Sequence, residues 1–197
     1  ASRMTVNKVI QMLSQEGRVK RTRGKGTFVI EPEVTKDILK LTSFSEDIHN
    51  IGKKPGSTIL EYSMNFDVHS EIKEKLQLHK GDFVHVIKRI RTADGEPIAL
   101  DVDNVSSKVA SHIDVNQIKN SLYVFFEQHL HMDIAYSDFK IKAGSATADI
   151  ARHLGIQEGD PILHIKHITY TKKGIPFEYC QTYYRADKYS LSIRAYR

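Results

Sequence analysis

The stretch from Ile72 to Asp82, IKEKLQLHKGD, recurs from Ile150 to Asp160 as IARHLGIQEGD. Each copy runs on into alternating residues of strand character, FVHVIKRIR from Phe83 to Arg91 and PILHIKHIT from Pro161 to Thr169. After one extra residue, GEPI from Gly95 to Ile98 matches GIPF from Gly174 to Phe177. Each unit therefore reads as helix, Gly-Asp turn, strand, glycine turn, strand. A unit this small has no way to bury its own sheet face, so the two copies are expected to pair about a pseudo-twofold. Further strands are expected at Ser57–Val68, Ile134–Ala143 and Tyr189–Tyr196, and further helices at Ser43–Ile51 and Ser121–His129. Strands joined by short turns form hairpins, so the fold class predicted is α+β with a mostly antiparallel sheet.

Upstream of the repeat the chain has a different character. Val6, Val9, Ile10 and Leu13 recur at helical spacing, Ser2 is suited to the N-cap, and Gly17 stands where a left-handed residue would end the helix. Two short strands, Arg18–Thr22 and Thr27–Ile30, are expected to flank a Gly24-Lys25-Gly26 turn. Residues 1–30 hold seven of the 29 Lys/Arg and one of the 24 Asp/Glu, while the rest of the chain has 22 bases against 23 acids. The formal charge of +5 thus comes wholly from this arm, which points to a polyanion partner for that end alone. Glu31-Pro32-Glu33 opens a linker, taken as residues 31–40, because Pro32 interrupts sheet pairing.

Composition excludes several classes. No run approaches the roughly 20 apolar residues of a membrane span, and no secretory h-region is present. One cysteine, Cys180, rules out an intrachain disulfide and favours a reducing cytoplasm. Glycine-rich phosphate loops, nucleophile elbows and His-Glu-x-x-His zinc helices are all missing, so neither a cofactor nor a metal is predicted. Cys180, in a predicted strand, reads as a small core residue.

The first thirty residues, SRMTV from Ser2, Glu16-Gly17, and RTRGKGTFV from Arg21 to Val29, resemble the recognition helix and wing of GntR-family transcription regulators. The resemblance implies two further helices ahead of residue 1 to complete a winged helix-turn-helix. On this reading Arg3 and Asn7 reach base edges in a major groove, where Arg suits guanine and Asn suits adenine. Thr5, Lys8, Lys20 and Arg21 serve the phosphates, and Ser2 and Arg23 count among the DNA-binding residues. Gly24 and Gly26 let the hairpin tip approach a groove, with Lys25 supplying charge.

From Leu41 onward the chain resembles the UTRA ligand-sensing domain of the HutC branch. The matches are LTSF at 41–44, Arg89-Ile90-Arg91, Ser121-Leu122-Tyr123, Leu154-Gly155-Ile156 with Gly159, Phe177-Glu178, and YRADKY at 184–189. The resemblance implies a chorismate-lyase-like fold, an effector pocket and a dimeric repressor. It places Arg89 and Arg91 on an anionic group, often a sugar phosphate, and two guanidiniums on one strand face suit that task. The alternative is that they pair with Asp101 or Asp103 on the next strand. Ser121 and Tyr123 would join the anion site, unless Ser121 is only an N-cap. Ser43 and Phe44 would line the pocket wall, and Tyr184 would lie over it. Asp101 and Glu178, read as related positions of the two repeats, would accept from ligand hydroxyls. The second repeat has His167 and Thr169 in place of the two arginines, so one half alone can grip an anion. Lys140 and Lys142 add charge where relatives often carry an acid.

The organisation expected is thus 1–30, part of a DNA-binding domain; 31–40, a linker; and 41–197, an effector domain. The function expected is a cytoplasmic, homodimeric regulator, a repressor, that binds double-stranded operator DNA under control of a small anionic metabolite. It is not expected to be an enzyme. The alternatives are a chorismate-lyase-like enzyme and a stand-alone metabolite-binding module. Replacing Arg89 and Arg91 together by alanine is expected to abolish the effector response while leaving operator affinity nearly intact.

Overall fold

The computed structural model describes residues 2–15, 19–29, 33–119 and 121–197 of the 197-residue chain. Gly17, Arg18, Ile30, Glu31 and Pro32, which carry the expected helix end, part of the hairpin and the start of the linker, lie outside the described residues. The chain divides between Val34 and Thr35 into two compact units.

The first unit is a helix and a hairpin. Helix α1 (Arg3–Gln15) starts at Ser2, whose Oγ accepts from Thr5 N at 3.2 Å. Its apolar stripe is only partly covered among the described residues: Val6 and Val9 are about half exposed, while Ile10 and Leu13 are half-buried. Strands β1 (Val19–Thr22) and β2 (Gly26–Val29) pair antiparallel, with Thr22 opposite Gly26. The turn needs its glycines, since Gly24 and Gly26 have φ of +76° and +114°.

In the second unit the repeat sets the architecture. Strand β3 (Val34–Asp37) comes first, then helix α2 (Phe44–Asn50). The first repeat is strand β4 (Pro55–Asn65), helix α3 (Ser70–Lys75) and strands β5 (Val84–Ala93) and β6 (Glu96–Ser106). A short helix α4 (Leu122–Val124) widens into a π-helical turn at Phe125–His129. The second repeat is strand β7 (Ile134–Ser145), helix α5 (Ala148–Leu154) and strands β8 (Pro161–Thr171) and β9 (Pro176–Arg185), followed by strand β10 (Tyr189–Ser192). Six strands form one antiparallel sheet in the order β4-β5-β6-β9-β8-β7. The two repeats meet at β6 and β9, and the expected pseudo-twofold runs between those strands.

Each repeat contributes one strand more than the sequence pattern reveals, because β4 and β7 precede the repeated stretch. Strand β3 lies within the span read as a linker, and it pairs with β10. That span is therefore not all connection: Val34 and Lys36 alternate inward and are buried. The strand expected to run to Tyr196 stops at Ser192.

Both faces of the sheet are covered. On one face α3 packs over β9 and β5 through Leu76, Val84 and Tyr179, and α5 packs over β6 through Ile150, Leu154 and Leu100. Glu71 of α3 meets Lys166 of β8 at 3.4 Å, and Asp149 of α5 meets Lys88 of β5 at 3.0 Å. Each repeat thus lends its helix acid to a lysine of the other. The helix ends are related as well. Gly155 takes a left-handed φ of +66° after α5, and at the matching position after α3 the chain puts Gln77 at +50°. On the other face, Ile87, Val105 and Phe177 meet Leu122, Phe125 and Phe126. Aromatic residues of α4 and its π-turn so close one end of that face and leave a hollow beside it.

Candidate functional site

Strand alternation aims Arg89 and Arg91 of β5, Asp101 and Asp103 of β6, and Glu178, Cys180, Thr182 and Tyr184 of β9 at the same face of the sheet. There they line a cavity of about 70 Å³, which Ser43 and Phe44 border from α2 and Ser121 and Tyr123 from α4. All nine residues singled out from the sequence, Ser43, Phe44, Arg89, Arg91, Asp101, Ser121, Tyr123, Glu178 and Tyr184, border this one cavity.

The first-repeat wall is an ion-pair cluster. Arg89 Nη2 donates to Asp103 Oδ2 at 3.0 Å and lies 3.5 Å from Asp101 Oδ2; Arg91 Nη1 reaches the same Asp101 oxygen at 3.5 Å. The cross-strand alternative left open by the sequence is therefore what the structure shows: neither guanidinium is a bare anion hook. Arg91 is further held by Ser45 Oγ at 3.1 Å and by the Phe44 ring, whose centroid is 4.6 Å from its guanidinium carbon. Burial works against the Arg89 charge, but Asp103 and Asp101 outweigh it and hold the group above its ordinary value. Burial, and then the Arg89 charge, lower Arg91 to about 10. Burial raises the Asp103 carboxyl to about 6 against the pull of Arg89.

The second-repeat wall has a different chemistry. Glu178 Oε2 accepts from Thr169 Oγ1 at 2.8 Å and lies 3.7 Å from His167 Nε2. Ser137 Oγ and Tyr123 Oη meet Thr169 Oγ1 at 2.9 and 3.3 Å. Burial and then the Glu178 charge push the Tyr123 hydroxyl up, so it stays neutral. Asp101 and Glu178 are not related positions. Asp101 stands opposite Arg89 as Cys180 stands opposite His167, whereas Glu178 stands opposite Thr169 as Ala99 stands opposite Arg91. The repeat aligned at Gly95-x-Pro97 and Gly174-x-Pro176 gives the same correspondence, Asp101 with Cys180 and Ala99 with Glu178.

Several side chains do structural work as well. Ser43 Oγ caps α2 by accepting from Glu46 N at 3.3 Å, and Ser121 Oγ caps α4 by accepting from Val124 N at 3.3 Å. Tyr184 stacks on Tyr189 with centroids 3.8 Å apart and is half-buried in the wall. Sequence reasoning did not single out Lys36 and Asp47, which border the cavity and pair at 2.9 Å, with Thr42 bonded to both. Burial raises Asp47 despite Lys36. Cys180 is buried as expected, but it faces the cavity, and burial pushes its thiol up. Among the described residues, the buried polar atoms of the cavity wall without a hydrogen-bond partner include Arg89 Nε in the first half, His167 Nδ1 in the second, and Tyr189 Oη.

In the first unit, Ser2, Arg3, Thr5, Asn7 and Lys8 are exposed on α1, and Arg21, Arg23, Gly24, Lys25 and Gly26 lie on the hairpin, Arg23 and Lys25 exposed near its tip. Ser2 and Thr5 hydroxyls also bond each other at 2.9 Å. The side chain of Lys20 lies outside the described residues.

Comparison with known proteins places this cavity. The model of the UTRA domain family matches residues 50–190. The HTH-type transcriptional repressor NagR of Bacillus subtilis (strain 168) is 33% identical over 190 residues, which is 96% of this chain and 78% of that protein. This chain belongs to the UTRA-domain regulators of the GntR family. The mannosyl-D-glycerate transport/metabolism system repressor MngR of Escherichia coli (strain K12) is 28% identical over 196 residues, 100% of this chain and 81% of that protein. The crystal structure of a GntR-family transcriptional regulator from Enterococcus faecalis V583 superposes with a TM-score of 0.65 at 32% identity. It covers 71% of this chain and 99% of that one. The UTRA match spans the six-stranded sheet, both repeat helices and most of the cavity wall. Among the described residues no helix is long and apolar enough to cross a membrane.

Proposed function

We propose that this UTRA regulator is a repressor whose affinity for operator DNA is set by a small anionic, sugar-derived metabolite bound in the sheet cavity. The observation that carries the reading is that two buried nitrogens on opposite halves of one cavity, Arg89 Nε and His167 Nδ1, have no hydrogen-bond partner among the described residues. A buried polar group left unsatisfied costs about 1–3 kcal/mol, so two such groups facing one hollow favour an occupant that bonds to both. The cavity is chemically two-ended. Arg89 and Arg91, paired with Asp101 and Asp103, stand at one side, while Glu178 and Tyr123 offer an acceptor and a hydroxyl at the other. An acid group at one end and sugar hydroxyls at the other match that division. MngR is named for mannosyl-D-glycerate, itself a glycoside with a carboxylate. The ion pairs define what the ligand must do: its anion has to share Arg89 and Arg91 with Asp101 and Asp103 rather than meet free charges.

The exposed basic face of α1 and the hairpin is the part that would contact DNA, with Arg3 and Asn7 on bases and Lys8, Lys20, Arg21, Arg23 and Lys25 on phosphates. A homodimer would present two such faces to a twofold operator. The ligand regulates only if it binds the DNA-competent and DNA-incompetent arrangements with different affinity. Regulation is supported over catalysis by the relatives, which are named as transcription regulators. The test is a thermal-shift series with phosphorylated sugars and sugar acids, followed by operator gel shifts with each compound that raises Tm. The reading expects at least one compound to do both. Stabilisation without any change in operator affinity would refute it.

A further inference from the structure

On the face of the sheet away from the cavity, the edge strand and its neighbour place cations directly opposite one another. Lys140 of β7 stands opposite Lys166 of β8, and Lys142 stands opposite His164. Lys140 and Lys142 alternate with Phe139 and Ile141, whose side chains border the cavity, so the lysines project to the opposite side. Lys75 of α3 borders the same groove, as do two acids, Glu71 of α3 and Asp138 of β7, so the groove holds four lysines against two carboxylates. Like charges directly opposite on neighbouring strands repel. Lys166 is partly compensated by Glu71 at 3.4 Å, but Lys75, Lys140 and Lys142 have no ion-pair partner among the described residues. Beside them the His164 ring lies on Tyr183 with centroids 4.4 Å apart, and its buried Nε2 has no hydrogen-bond partner. Burial, with Lys166 and Lys142, pushes the ring below its ordinary value.

Lysines on an edge strand have a plain role, which is to stop edge-to-edge pairing. That role explains Lys140 and Lys142 alone. It does not call for Lys166 and His164 opposite them on the interior strand, nor for a buried ring nitrogen left without a partner.

We propose that this groove is a second anion site, for a compact multiply charged oxyanion of the diphosphate type. The two opposed pairs lie two residues apart along the strands, about 7 Å, and about 5 Å apart across them, close to the spread of two linked phosphates. Lys140, Lys142 and Lys166 supply the charge, and a protonated His164 donates to a phosphate oxygen. The groove adjoins the effector cavity at Phe139 and His167, but its cations lie on the opposite face of the sheet, and the proposal does not depend on that cavity's assignment.

The experiment is calorimetric titration of the whole chain with inorganic pyrophosphate at low salt, alongside NMR titration of the His164 ring. The proposal predicts saturable binding, a His164 pKa that rises when pyrophosphate is present, and at least tenfold weaker binding in Lys140→Gln/Lys142→Gln. Both lysines are exposed, so the variant is expected to fold normally. Arg91→Lys, in the other cavity, should leave pyrophosphate affinity within twofold of wild type. The proposal is overturned by absence of binding, by wild-type affinity in the double variant, or by loss of binding in Arg91→Lys, which would place the anion in the effector cavity.

Discussion

Replacing Arg89 by methionine tests whether the cavity wall is a buried charge cluster that happens to face a ligand. Arg89 is 2% exposed and answers Asp103 at 3.0 Å and Asp101 at 3.5 Å. The methionine side chain would fill much of the same volume but leave Asp103 without a cation at hydrogen-bond distance. Removing one partner of a buried pair costs about 3–5 kcal/mol, whereas replacing both by apolar residues is often neutral or stabilising. For a protein of this size, about 2–4 °C per kcal/mol gives a fall in Tm of roughly 6–20 °C. Arg89→Met/Asp103→Leu should recover most of that loss, since Asp101 keeps Arg91. Thermal and urea unfolding followed by circular dichroism reads both. A fall below about 2 °C in the single variant, or a double variant no better than the single, would refute the reasoning. The double alanine replacement of Arg89 and Arg91 is for the same reason no clean test of effector binding. It strands two buried carboxylates and perturbs the fold before it reports on any ligand.

Asp103 keeps its proton in the fold to about pH 6, whereas in the unfolded chain it loses it near pH 4, so this group's contribution to stability is fully present at low pH and drains away as pH rises through about 6. Asp103→Asn removes that component. Unfolding free energies measured from pH 4 to pH 7 should therefore shift in the variant's favour with rising pH, and a constant difference would contradict the assignment. Gln77 holds the left-handed position that glycine occupies after the related helix, so Gln77→Gly should stabilise by about 0.5–1 kcal/mol in urea unfolding, even though it loosens the unfolded chain. If the hairpin meets phosphates, Arg21→Gln and Lys25→Gln should each flatten the slope of log K against log salt for operator binding by about 0.9, with little change in sequence preference. An unchanged slope would remove those residues from the interface.

The sheet was legible because the repeat is written in the residues that turns and helix ends require. Gly81 and Gly159 mark the same turn in both copies, and the strands after them alternate. Outside the repeated stretch β4, β7, α2 and α4 were also legible, and what escaped was β3. Strand β3 is four residues long, includes Lys36 among its inward positions and follows Pro32, so no apolar alternation announces it. The nine cavity residues were brought together by family resemblance, and strand parity then placed the β5, β6 and β9 members on one face. Their pairing was not legible. Whether Arg89 serves a ligand or a neighbouring Asp depends on register and burial, which a single sequence leaves open. Asp101 and Glu178 are a different case: the repeat itself, aligned at Pro97 and Pro176, sets Asp101 against Cys180 and Glu178 against Ala99, as the sheet does. Lys36 and Asp47 were missed because a buried ion pair eleven residues apart carries no local signal.

The most direct measurement is release of operator duplex from the full chain as a stabilising sugar-derived anion is titrated in, compared between wild type and Arg91→Lys. Lysine keeps the charge beside Asp101 but loses the planar fork that spans Asp101, Ser45 and an incoming anion. The account predicts release in the wild type and a midpoint at least tenfold higher in the variant, with ligand-free operator affinity unchanged. Identical release curves for the two proteins would contradict it.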